Sequence, residues 1–147
     1  MDIGISLGPD GDLPEKIRGV PQEIDFAEFS IGEHERPIEE IDRESVAEAL
    51  DEKDLELTLH LPFKQPLATD VKELNQAVVD YHDRLLEFSA DLGAEKFVVH
   101  ADMRDQSSET EAKQLKDQIR KLKEIGEEHG VEICFENLGQ WRGLELF

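Results

Sequence analysis

The chain is poor in cysteine, in basic residues and in long apolar runs. Its 147 residues include one cysteine, Cys134, so no disulfide can close within the chain. A reducing compartment, the cytoplasm by default, is the expected setting. No apolar run approaches the roughly 20 residues that a membrane-spanning helix needs. The opening MDIGISLGPDG has neither the basic cluster nor the apolar segment of a targeting signal, so no membrane partner is expected. Only 16 Lys and Arg stand against 36 Asp and Glu, a formal net charge of -20. Such a balance discourages nonspecific nucleic-acid binding, although an acidic surface can still surround a small basic site.

The acidic excess is spread along the whole chain instead of gathering in one tail. Self-repulsion of this kind weakens a compact fold in dilute buffer and is relieved by concentrated salt, which points to a halophilic source. An acidic disordered chain has a similar charge, but the apolar periodicity argues against disorder. The length suits one domain with one core and is too short for two ordinary ones.

Short apolar runs alternate with helical patterns, the mark of strand-helix units around a parallel sheet. Five strands are expected, at Ile3 to Leu7, about Ile24 to Ile31, Leu55 to Leu61, Lys96 to Ala101 and Val131 to Glu136. Between the later strands Asp70 with Glu73, and Ser108 with Glu111, form capping-box patterns. The first opens a stripe of Val71, Leu74, Val78, Tyr81, Leu85, Phe88 and Leu92 that Gly93 ends. The second opens one of Leu115, Ile119, Leu122 and Ile125, with Gly130 as the stop. A shorter helix is expected at about Arg43 to Glu52, with Asp42 as cap. The first connection, PDGDLPEKIRGVPQ, holds three prolines and leaves room for a turn or two near Leu13 to Arg18.

Side-chain parity gives these strands their chemical interest, because successive residues point to opposite faces. Leu55, Leu57, Leu59 and Leu61 share one face of the third strand, and Glu56, Thr58 and His60 the other. On the fourth, Val98 and His100 oppose Phe97 and Val99; on the fifth, Cys134 and Glu136 oppose Ile133 and Phe135. Ser6 and Glu28 continue the polar set on the first two strands. Every strand can thus aim apolar residues at covering helices and a polar residue inward near its carboxyl end, where parallel barrels assemble their active sites.

A lone histidine at a strand end is more often structural than functional, but here the spacing adds weight. His60 to His100 is 40 residues and His100 to Glu136 is 36, each about one strand-helix unit. Adjacent strands would therefore place the three side chains together at one level. Two neutral imidazoles and a carboxylate suit zinc, manganese or a similar divalent ion. Glu28 is an acid on a buried face and needs a partner or a site. Lys64 and Arg104 follow strand ends and suit an anionic substrate group, although solubility is the simpler explanation. Trp141 can wall a sugar site or simply pack. Cys134 reads as a small core residue, and His34, His82 and His129 lack the strand-end context.

HLPF, VVHAD and CFENLG, in that order on the last three strands, resemble the xylose-isomerase-like barrel superfamily, as do IGISLG and FAEFS earlier. That superfamily holds sugar phosphate isomerases and epimerases and the endonuclease IV type of abasic-site nuclease. The resemblance implies an α/β fold, a partial (β/α)8 TIM barrel of about five parallel strands with helices on the outer face. Its members carry further ligands on strands 6 to 8, whereas this chain stops at RGLELF. Residues 1–147 are therefore expected to form one barrel domain, truncated after the fifth strand, with open sheet edges that invite self-association.

In the nuclease branch the positions of His60, His100 and Glu136 bind metal. In the epimerase branch the glutamate is both ligand and catalytic acid or base, and the histidines tend to contact substrate. The expected function is thus metal-dependent isomerisation or epimerisation of a sugar or sugar phosphate through an enediolate, with Glu136 as catalytic group and Glu28, Lys64, Arg104 and Trp141 as substrate contacts. The alternatives are an abasic-site nuclease, disfavoured by the short acidic loops GPDGD and GEHERP, and a half-barrel binding module without catalysis.

Overall fold

Alternation of apolar and polar residues produces five short strands, and a sheet grows from them in strict chain order. In a computed structural model that describes residues 1–32, 35–61, 66–105 and 107–136, β1 (Gly4–Ser6), β2 (Phe26–Ser30), β3 (Glu56–His60), β4 (Lys96–His100) and β5 (Glu132–Glu136) form one parallel sheet, ordered β1-β2-β3-β4-β5. Each strand lies inside its sequence-based bounds, one or two residues shorter at most ends. Among the described residues β1 and β5 pair on one side only. Among the described residues the sheet is open and five-stranded, as expected for part of a (β/α)8 barrel.

Among the described residues four α-helices link the strands: α1 (Leu13–Arg18), α2 (Arg43–Lys53), α3 (Lys72–Asp91) and α4 (Glu109–His129). The first three-proline connection supports only six residues of helix, with Asp12 accepting from the Glu15 backbone N at 2.9 Å. Asp42 caps α2 as expected, taking the Ser45 N–H at 3.2 Å. Side chains of Ala27, Phe29, Leu57, Leu59, Phe97 and Val99 are sealed between the sheet and this helical layer. Removing such side chains from water is the dominant favourable contribution to folding.

The start of α3 departs from expectation. Asp70 does not cap it: the N-cap is Val71, with no side-chain bond. Instead the Asn75 amide clasps Thr69, accepting from its backbone N at 2.8 Å and donating to its carbonyl at 2.9 Å. From α4, Gln118 donates to the Asn75 carbonyl at 2.6 Å. The buried amide thus satisfies both backbone groups of Thr69 just ahead of the helix. The expected stripe fails only at this end: Val71 and Leu74 are exposed, whereas Leu85, Phe88 and Leu92 are buried and Val78 and Tyr81 pack against the core, joined by Asn75, Val79, His82 and Leu86.

At α4, Ser108 does accept the Glu111 N–H at 3.2 Å. The reciprocal half of the box is replaced, because the Glu111 carboxylate takes the Asp105 N–H and Ser108 N donates to the Asp105 carbonyl. Gly130 ends the helix in the left-handed region at φ 73°, which glycine enters without a Cβ penalty. Gly126 lets the helix meet β5 closely, since a Cβ there would lie 2.8 Å from the Ile133 side chain.

Candidate functional site

On the face of the sheet away from the helices, the carboxyl ends of β3, β4 and β5 each present one potential ligand. His100 and Glu136 are direct partners in the parallel register, whereas His60 is paired with Val98, one pleat lower. The three are therefore not at one level along the strands, and the imidazole of His60 reaches across the step. Its Nε2 lies 3.1 Å from His100 Nε2 and 3.6 Å from Glu136 Oε2, and His100 Nε2 is 2.8 Å from the same oxygen. The rings meet edge to face, centroids 5.1 Å apart.

This triangle fits a divalent ion. Ligand atoms bonded at about 2.0–2.2 Å to a tetrahedral centre lie ~3.3–3.6 Å from one another; the 3.6 Å edge is in that range, and the 3.1 Å and 2.8 Å edges are shorter. Two imidazole nitrogens and a carboxylate oxygen are also the donor types that zinc and manganese accept. Both histidines are largely buried, with side chains 13% and 10% exposed, while Glu136 is 41% exposed and open to a small molecule. Among the described residues the cluster offers three ligand atoms, one fewer than a tetrahedral ion takes.

Glu28 points into the same face from β2, its Oε1 3.7 Å from His60 Nδ1. Arg104 stands in the β4–α4 connection with an exposed side chain and makes no ion pair with the cluster among the described residues. Its backbone N donates to the Ala68 carbonyl at 3.1 Å, and Ala68 N donates to the Asp102 carbonyl at 3.0 Å. These bonds form a parallel bridge that carries the β3–β4 pairing past the strand ends. Cys134 is half-buried on the inner face, where burial and then Glu132 push its thiol up. Lys64, Trp141 and His34 lie outside the described residues. His129 sits at the far end of α4, bonded to Asp83 at 2.7 Å.

One residue near the cluster escaped the reading of the strands. Asp102 is half-buried two residues beyond His100, and burial raises its carboxyl above the ordinary range more than the Met103 backbone N–H and His100 lower it. Its parity with His100 was the available signal, hidden because it falls after the strand. A cleft of about 850 Å³ lined by Asp2, Asp25, Asp54 and Glu95 opens at the opposite, amino-terminal end of the sheet. In barrels of this kind that face serves stability, not chemistry, so the cluster and not the cleft is the candidate site.

The sequence profile of the xylose isomerase-like TIM barrel family matches residues 22–145. No curated protein sequence matches. Among solved structures, a 3-keto-D-glucoside 4-epimerase from E. coli is 20% identical, with a TM-score of 0.75 over 96% of this chain and 57% of its own. A D-psicose 3-epimerase solved in the presence of D-fructose is 17% identical, with a TM-score of 0.76 over 94% and 53%. An L-ribulose 3-epimerase is 15% identical, with a TM-score of 0.78 over 96% and 51%. The chain thus spans little more than half the length of these structures, and at such identities the likeness is one of fold.

Proposed function

The chain belongs to the xylose isomerase-like TIM barrel family, and we propose from that membership that it is the amino-terminal part of a metal-dependent sugar isomerase or epimerase. The observation that carries the reading is the convergence of His60, His100 and Glu136 within one ion's reach. A divalent ion held there would polarise a substrate carbonyl and offset the negative charge that develops beside it. His60 and His100 bind and orient. Glu136, the most open of the three, is placed to hold or move a proton at the carbon next to that carbonyl. Arg104, with Lys64, is assigned to an anionic group of a phosphorylated substrate, and Trp141 to a wall of the sugar site.

Five strands of eight, and a length little over half that of the epimerase structures, support a continuation beyond Phe147 that supplies further ligands. The test is to express the chain with whatever follows Phe147 in its coding sequence and follow ketoses and ketose phosphates by NMR in heavy water. Metal-dependent exchange of the proton next to the carbonyl, abolished in Glu136→Gln, is expected. Incision of abasic DNA without such exchange would replace this reading with the nuclease one.

A further inference from the structure

Basic groups are scarce in this chain, with 16 Lys and Arg against 36 Asp and Glu, so a buried cation without a carboxylate stands out. Arg36 follows β2, in a turn closed by the Gly32 N–H, which donates to the Arg36 carbonyl at 2.8 Å. Its side chain folds inward: the residue is 9% exposed, and the guanidinium lies over the Phe29 ring, 5.9 Å from the centroid. Nη2 donates to the Gly8 carbonyl at 2.9 Å. Nη1 is, among the described residues, the one buried side-chain nitrogen or oxygen with no hydrogen-bond partner. Lys16, on α1, donates to the same Gly8 oxygen at 2.9 Å. Among the described residues neither cation has a carboxylate within ion-pair distance. Burial lowers the Arg36 pKa, and Glu35 and Asp10 are near enough only to offset part of that fall.

A buried charged donor without an acceptor is costly, and two cations on one carbonyl oxygen repel each other. Both costs are relieved by an anion. Arg36 lines a cleft of about 380 Å³ between the β1–α1 and β2–α2 connections, with Pro9, Gly11 and Pro37, a volume that suits a small molecule. The space beside Gly8 is open, since a Cβ there would meet nothing within 4 Å. Of the acids in the cleft wall, Asp12 and Asp42 are engaged as helix caps, which leaves Glu35 and Glu40.

We propose that this cleft is a binding site for the carboxylate of a small molecule, held by Arg36 through Nη1 with Lys16 as the second cation. A guanidinium is always charged, and its planar fork of donors matches a carboxylate. Glu35 and Glu40 make each further negative charge on the ligand costly, which favours a singly charged carboxylate over a phosphate near two charges. Nη1 is shielded from solvent, so capture requires the guanidinium to turn toward the cleft while Nη2 keeps the Gly8 carbonyl. The site is separate from the His60, His100 and Glu136 cluster. It stands over β1 and β2, and Phe29 beneath it belongs to the helix-facing side of the sheet. The inference therefore does not depend on the metal reading.

The test is a titration of the nitrogen-labelled chain with potassium acetate, potassium chloride holding the ionic strength constant, followed by NMR at the Arg36 guanidinium and at the Gly8 and Gly32 amides. All three should shift and saturate as acetate replaces chloride. In Arg36→Gln the amide response should call for roughly 10- to 100-fold more acetate, with the folded far-ultraviolet spectrum retained. Lys16→Gln, a change on the half-exposed side of α1, should weaken binding about 2- to 5-fold, and it carries the test if Arg36→Gln does not fold. No saturable shift in the parent, or an amide response unchanged in the variants, overturns the site and leaves Arg36 as a brace between the two connections. Inorganic phosphate binding more tightly than acetate at pH 7 overturns the assignment to a singly charged group.

Discussion

The two faces of the sheet are built from alternate residues of the same strands, yet they obey opposite rules. Toward the helices, Ala27, Phe29, Leu57, Leu59, Phe97 and Val99 are all at most 2% exposed and wholly apolar. Toward the open side, Glu28, His60, His100 and Glu136 are polar, with side chains 10% to 41% exposed. One face holds the chain folded, and the other presents the polar residues of the candidate site. Residues one position apart on a strand should therefore respond to mutation in different ways.

The largest contrast is expected within β4. Phe97→Ala removes a fully buried ring and should cost about 3–5 kcal/mol in urea unfolding. Val98→Ala, on the half-buried inner face, should cost only about 1 kcal/mol. Equal losses would break the comparison. Salt tests the shell around both faces. The ion pairs Arg18–Glu52, Arg43–Asp91 and Arg84–Glu39 are all well exposed and contribute little each, so the unpaired acidic excess dominates. The melting temperature should climb by several degrees from dilute buffer to molar potassium chloride, and a flat or falling curve would contradict the halophilic reading of the composition.

A smaller effect separates two kinds of histidine. His82, on the inward side of α3, donates from Nδ1 to the Val78 carbonyl at 2.7 Å, and burial lowers its pKa despite that bond. The unfolded chain takes up a proton near about pH 6.5 that the folded chain refuses. Stability is thus lost as pH falls through that value and on toward the folded pKa. Chemical denaturation from pH 7 downward should show a shallower loss for His82→Leu than for the parent. Identical slopes would mean that His82 is not held neutral in the fold.

Strand positions and faces were legible because period-two alternation survives burial: Leu57 and Leu59 against Thr58 and His60 leave little choice of register. The convergence of His60, His100 and Glu136 followed from strand order and unit length. The step between His60 and His100 did not, since the stagger of neighbouring strands is a property of the sheet. The first turn of helix α3 shows where apolar periodicity fails, although Val78 to Leu92 keep the stripe. Val71 and Leu74 fit a stripe yet are exposed, because Asn75 and Thr69 satisfy each other's polar groups underneath, and no count of apolar residues registers a hydrogen-bonded pair. Asp102 was passed over for a related reason, lying just past the end of the alternation.

Titration of the chain with zinc or manganese by calorimetry, in the parent, in His100→Ala and in His129→Ala, tests the central claim most directly. The parent should take up a single ion. His100→Ala should weaken binding by more than the roughly 10- to 100-fold that loss of an outer partner costs. His129→Ala, which breaks only the contact with Asp83, should bind as the parent does. Equal affinity in the two variants, or no uptake by the parent, would show that His60, His100 and Glu136 do not form a metal site.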